Sequence, residues 1–117
     1  MRSTMLALVL ILGTALCAQA RDHNSNQEIE FLLNYVATSN ARFIRNGSEY
    51  SAKEGADHLR DKLSRAGERV KSAEDFIENV ASKSYLSGKP YMVKTPEGQI
   101  VPTGPWLMQA LVQHRQR

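Results

Sequence analysis

Phe43-Ile44-Arg45-Asn46-Gly47-Ser48-Glu49-Tyr50-Ser51, continuing through Ala52 to Leu63, is the stretch that decides how this chain folds. Asn46-Gly47 sits between short runs carrying Phe43, Ile44 and Tyr50. That dipeptide suits a type I′ hairpin turn, because both central residues of such a turn need positive φ. Ser51 with Glu54 three residues later makes a capping box, in which each side chain accepts a hydrogen bond from the other residue's free backbone N–H. A hairpin and the helix that follows it are therefore specified almost back to back.

Working outward, the helix after Ser51 places Ala52, Ala56, Leu59, Leu63 and Ala66 on one face and stops at Gly67, a natural residue for a left-handed helix end. Upstream, Ser25 and Glu28 repeat the capping-box spacing. Ile29, Leu32, Leu33 and Val36 then recur at helical intervals, widened by Phe31 and Tyr35, until Thr38-Ser39-Asn40 competes for the backbone. On this reading Arg21 to Asn26 is a loose polar lead-in.

Downstream, Ser72 and Asp75 open a third helix bearing Ala73, Phe76, Ile77 and Val80. It gives way to Ser82, Ser84 and Ser87-Gly88. Pro90-Tyr91-Met92-Val93 and Gln99-Ile100-Val101 flank Pro96-Glu97-Gly98 as a second hairpin, and Pro102 confines its last strand to a sheet edge. Thr103 or Gly104 is expected to cap a final helix with Pro105 at its first position and Trp106, Leu107, Ala110 and Leu111 inward. Gln113 to Arg117 should fray. The order helix, hairpin, helix, helix, hairpin, helix predicts a two-layer α+β domain. Glu30-Phe31-Leu32 with Asn34 and Val36-Ala37-Thr38-Ser39 also echoes Asp75-Phe76-Ile77 with Asn79 and Val80-Ala81-Ser82 once one residue is skipped, an echo too short to establish a duplication.

The N-terminus reads as an address. Met1-Arg2 is positive, Met5 to Leu16 is almost wholly apolar, and Ala18-Gln19-Ala20 offers the small residues that signal peptidase needs. About a dozen apolar residues fall short of the roughly 20 that span a bilayer, so residues 1–20 are expected to be a cleaved export signal rather than an anchor. Leu16 before Cys17 argues against lipidation. Removing the first 20 of 117 residues leaves 97, one small domain, and takes away the single cysteine, so no disulfide is expected. Loss of Arg2 leaves 14 basic against 12 acidic residues, a net +2 with the signs interspersed. No basic stripe with interleaved aromatics points to nucleic acid.

Several motifs carry a resemblance. Phe43-Ile44-Arg45-Asn46-Gly47, His58-Leu59-Arg60 with Lys62-Leu63, Ala73-Glu74-Asp75-Phe76-Ile77 and Ser87-Gly88-Lys89-Pro90-Tyr91 resemble, in the same order, a family of small periplasmic proteins of Gram-negative bacteria classed as a domain of unknown function. The resemblance covers most of the chain after residue 20. It implies an exported, uncharacterised domain and no particular activity. The resemblance implies that some relatives carry cysteine near the first hairpin where this chain has Ala41 and Ala52, so any disulfide there is absent here.

The candidate site residues are Arg45, His58, Lys62, Ser84 and Tyr91. His58 and Lys62, four apart, share a helix face at the core's margin. An imidazole beside a cation suits a general base near neutral pH, but tying down the hairpin is the commoner role for such a histidine. Arg45 is suited to an anion through its fork, and equally to bracing Glu49 across the hairpin, the favoured reading. Ser84 and Tyr91 belong to a hydroxyl-rich link where a ring could stack on a sugar or peptide; serines satisfying their own backbone are the plainer account. His23, His58 and His114 are isolated, so neither a metal site nor a cofactor is implied. Nor does any nucleophile elbow or phosphate-cradling loop occur.

These features favour a non-enzymatic binding or interaction module of the cell envelope, partnered by an unidentified protein or envelope component and without stable membrane insertion. The alternatives are a small hydrolase-like enzyme with His58 as base, and a structural envelope factor. The export reading is checked by N-terminal sequencing of the protein recovered from periplasm: it should begin at Arg21. A start at Met1 in the cytoplasm, or an acylated Cys17, would overturn it.

Overall fold

A computed structural model describes residues 21–117. The export signal, Cys17 and the cleavage site after Ala20 lie outside the described residues. Helix α1 (His23–Thr38) leads into strands β1 (Arg42–Arg45) and β2 (Ser48–Tyr50), then helix α2 (Ala52–Ala66). A short 3-10 turn over Gly67–Arg69 precedes α3 (Ala73–Phe76), which widens into a π-helical turn over Ile77–Ala81. Strands β3 (Met92–Lys94) and β4 (Ile100–Pro102) and helix α4 (Thr103–Arg115) complete the chain. The α+β order read from the sequence is the observed one.

The four strands form one antiparallel sheet in the order β2-β1-β3-β4. Each hairpin therefore contributes one central and one edge strand, and each is preceded and followed by a helix, so the two halves repeat about the β1–β3 seam. Along one row, Tyr50, Phe43, Val93 and Val101 are cross-strand partners, and this row faces the helices. Ile44, Glu49 and Met92 alternate to the other face, as the two-residue period of a strand requires. Phe43 and Val93 are each 1% exposed, packed beneath Leu32, Leu59, Phe76 and Leu107 in a single core.

The hairpin and capping box are as expected. Asn46 and Gly47 take φ of 49° and 82°, and Ser51 and Glu54 exchange side-chain to backbone hydrogen bonds of 3.0 and 3.1 Å. Ser72 Oγ likewise accepts from the Asp75 N–H.

Several expectations about the helix ends are corrected. Helix α1 starts at His23, not after Ser25: Asp22 is its cap and accepts from the Ser25 N–H at 2.7 Å, so the supposed lead-in is helix. Glu28 is not a capping partner; its side chain turns inward, and Arg115 donates to its carboxylate at 2.7 and 2.9 Å. The same guanidinium holds Glu74 at 2.7 and 3.0 Å, so α4 runs to Arg115 and the tail does not fray from Gln113. At the other end of α4, Pro102 occupies the cap and Pro105 the third helical position, where its missing N–H is still one of the helix's unpaired donors. Thr103 does not cap through its side chain: its N–H goes to the Tyr91 carbonyl at 2.9 Å and its buried Oγ1 has no partner among the described residues. Trp106 is only half-buried, with its ring 4.8 Å from that of Tyr35.

One contact sets how α2 lies on the sheet. A Cβ built on Gly55 would sit 2.6 Å from Phe43 Cβ, so only glycine lets the helix approach β1 this closely. His58 and Lys62 lie one and two turns further along the same face. Gly55→Ala gains about 1 kcal/mol of helix propensity but overpacks a full core at about 1–3 kcal/mol. The variant should lose up to about 2 kcal/mol of stability in a chemical melt, and a variant more stable than the parent would mean that α2 can retreat from β1.

Candidate functional site

Sheet register and helix phase together assemble the site. Arg45 is two residues beyond Phe43 and Tyr91 two before Val93, so continuing the β1–β3 register one step past Ile44 and Met92 sets them opposite each other on the helix-facing side. Helix α2, held down at Gly55, brings His58 and Lys62 over that pair, and the link after the π turn supplies Ser84. All five residues singled out from the sequence line one cleft of about 230 Å³, together with Arg65, Tyr85 and Leu86. Ser87 Oγ bonds Asn46 Oδ1 at 2.8 Å and ties the link to the turn of the first hairpin.

Lys62 is buried, 6% exposed. Its three ammonium protons go to Val80 O at 2.7 Å, Lys83 O at 3.0 Å and Tyr91 Oη at 3.0 Å, so it closes the C-terminal end of the π turn, whose last carbonyls would otherwise lack donors. The ammonium also lies 4.1 Å from the Tyr85 ring centroid and 4.6 Å from that of Tyr91. Burial, reinforced by Arg45 and Arg65, pushes its pKa down from 10.5 to about 8.

Arg45 does not brace Glu49, as the sequence had suggested. Arg42 takes that role at 3.6 Å, because Arg45 lies on the helix-facing side of the strand and Glu49 on the other. Instead Arg45 Nη1 lies 3.2 and 3.3 Å from the two ring nitrogens of His58, with its guanidinium 5.5 Å from the Tyr50 ring centroid. His58 Nε2 is 3.2 Å from Tyr91 Oη. Burial, then Arg45, Lys62 and Arg65, lower the His58 pKa, so the ring is neutral at pH 7.

The proton inventory follows from what each group can do. Arginine has donors and no acceptor, so the His58 nitrogen that receives it is unprotonated, and the direction of the Nε2–Tyr91 Oη hydrogen bond follows from which of the two nitrogens that is. Tyr91 Oη accepts from Lys62 and shares its second hydrogen bond with His58 Nε2. Among the described residues, neither Arg45 nor Lys62 has a carboxylate within salt-bridge distance. Arg65 is paired with Asp61. The cleft is thus rich in donors and poor in acceptors.

Tyr91 does not take the ligand-stacking role weighed for it, and Ser84 follows the plainer account. Tyr91 is 2% exposed and makes a tilted contact with Phe43 at 5.2 Å, so it is a core ring presenting only its hydroxyl and cannot stack on a ligand from solvent. Ser84 mostly shapes its own link: its N–H donates to Lys89 O, its carbonyl accepts from Gly88 N–H, and its Oγ reaches Ser87 N–H only at 3.5 Å. Tyr85 and Arg65 were missed. Arg65 was legible, three residues after Lys62 on the same helix; nothing local marks Tyr85, whose hydroxyl reaches Asn79 O across the π turn. No cluster of three or more potential metal ligands occurs among the described residues.

Because Lys62 satisfies three acceptors, Lys62→Met should cost about 1–3 kcal/mol at pH 7, even though methionine refills the volume and removes a buried charge. The folded protein releases this proton near pH 8 and the unfolded chain only near 10.5, so the unfolded state binds more protons between them and stability rises with pH across that window. Urea melts at pH 7 and 9.5 should show that rise in the parent and a smaller one in the variant. Equal rises would mean that Lys62 is not the group responsible.

Residues 23–115 match a family of unknown function, DUF5329. The chain is also 36% identical over 92 residues to the uncharacterized protein YfeK of Salmonella typhimurium strain LT2, an alignment covering 78% of this chain and 77% of that protein. No solved structure matches. The family match runs from the first turn of α1 to the Arg115 clamp and takes in every residue of the cleft, as the shared motifs had implied: this chain belongs to the DUF5329 family of unknown function.

Proposed function

We propose that the protein is an exported binding module of the cell envelope that holds a small anionic ligand, or the acidic group of a larger envelope component, in the cleft between the first hairpin, α2 and the link after the π turn. The observation that carries this reading is the donor-rich lining: Arg45, with no carboxylate partner among the described residues, beside the ammonium of Lys62 and the hydroxyl of Tyr91. Charge-assisted hydrogen bonds to an oxyanion are the strongest that such groups can make. The export signal read in residues 1–20 supports the periplasm as the place where it acts.

Catalysis by His58 is the weaker reading. The nitrogen that would take a proton already faces Arg45, and among the described residues no serine, cysteine or carboxylate lies within hydrogen-bond reach of the ring in the manner of an activated nucleophile. Tyr91→Ala is a poor probe of this site because the ring is core; Tyr91→Phe removes the hydroxyl alone.

The test uses inorganic phosphate as the probe, followed by amide chemical shifts and titration calorimetry. Shifts should appear at Arg45, His58 and the link from Ser84 to Lys89. Affinity should fall as pH rises through about 8, because Lys62 carries its charge below that value and loses it above. Arg45→Gln should weaken binding about tenfold or more. Shifts elsewhere, or an affinity indifferent to Arg45, would refute the anion site.

A further inference from the structure

A second cleft of about 230 Å³ lies between the first hairpin and the start of α2, lined by Phe43, Arg45, Tyr50, Glu54 and His58. Arg45 and His58 belong to both clefts, so their contact is a common wall: cationic groups on one side, two aromatic rings on the other. We propose, building on the anion-binding reading, that the ligand is a monoacid with a compact aromatic or branched apolar body, its acid group held at Arg45 and its body seated against the half-buried Tyr50 ring, over the edge of the core at Phe43.

Three features carry this. The first is shape and chemistry: a dry cavity of about 150 Å³ is enough for a benzene ring, and here the polar group at the inner end is the guanidinium that the acid would meet. The second is commitment of donors. Only Nη1 of Arg45 faces His58, so the guanidinium keeps further N–H groups for an acid arriving along the aromatic wall. The third is Glu54 at the outer end, whose carboxylate is held ionised by the Ser51 N–H, the largest cause of its lowered pKa. A carboxylate at that end repels a second acid on the ligand, so the cleft selects acids that are charged at one end only.

The experiment measures acetate, phenylacetate and benzyl alcohol by titration against the purified protein, its Arg45→Gln variant and its Tyr50→Ser variant. Tyr50 is a half-buried edge-strand residue, so a melt of Tyr50→Ser first confirms that it is folded; if it is not, Tyr50→Leu, which changes the ring's flat face but keeps the bulk, replaces it. Phenylacetate should bind at least about tenfold more tightly than acetate, as burying a ring predicts. In the Tyr50 variant the ratio of phenylacetate to acetate affinity should fall towards one, and Arg45→Gln should weaken both acids. Benzyl alcohol should bind far more weakly than phenylacetate. Equal affinity for acetate and phenylacetate overturns the aromatic-acid assignment and leaves the anion site standing. Binding of benzyl alcohol as tightly as phenylacetate overturns the assignment as well, since the acid would then contribute nothing. Failure of every acid, together with phosphate, overturns both.

Discussion

A buried ammonium ties the two halves of this domain together at the cleft, beyond the β1–β3 pairing and the shared core. Lys62 projects from α2 in the first half and donates to the Val80 and Lys83 carbonyls and the Tyr91 hydroxyl in the second. Tyr91 in turn passes the restraint on through its backbone, its N–H bonded to Ser82 O and its carbonyl accepting from Thr103 N–H, so the end of the π turn and the start of α4 are fixed by the same residue. The arrangement carries an electrostatic cost, visible in a lysine that holds its proton only to about pH 8. A buried cation offset by carbonyl dipoles and aromatic faces, rather than by a carboxylate, remains attractive to an anion from outside.

Elements specified by neighbours in sequence were legible, and those decided at long range were not. The Asn46-Gly47 turn, the Ser51–Glu54 box and the Ser72 cap each need only residues within one turn, and all three form. The start of α1 was misplaced because Asp22–Ser25 and Ser25–Glu28 have identical spacing. What separates them is Arg115, which draws Glu28 inward from 87 residues away. The widened turn over Ile77–Ala81 has no sequence signature either. It is accompanied by contacts from other elements: the Lys62 ammonium at its end, and Gly104, where a Cβ would come within 2.8 Å of Ser82 Oγ.

The candidate site divides along the same line. Residue types that suit an oxyanion were identifiable as a set, and the structure gathers all five into one cleft. Their pairings were not, because they depend on the register between hairpins whose central strands lie about 50 residues apart in the chain. That register sets Arg45 against His58 rather than Glu49, and turns Tyr91 from a surface platform into a core ring. Lys62 had a signal that was underweighted. It stands three residues after Leu59 and four before Ala66, both inward-facing, and that phase puts its stem inside the helix–sheet interface.

The clamp of Arg115 on Glu28 and Glu74 also bears on how the fold is lost. It joins the first helix, the third and the last turn of the chain, across separations of 87 and 41 residues. Contacts that distant close only after the intervening chain is in place, since loop-closure entropy has to be overcome first. Energy supplied after the transition state leaves the rate of folding nearly unchanged and enters the barrier to unfolding. The clamp therefore works as a latch on lifetime more than as a guide to assembly, and a small domain without a disulfide keeps its folded state in part by being slow to open at its two ends.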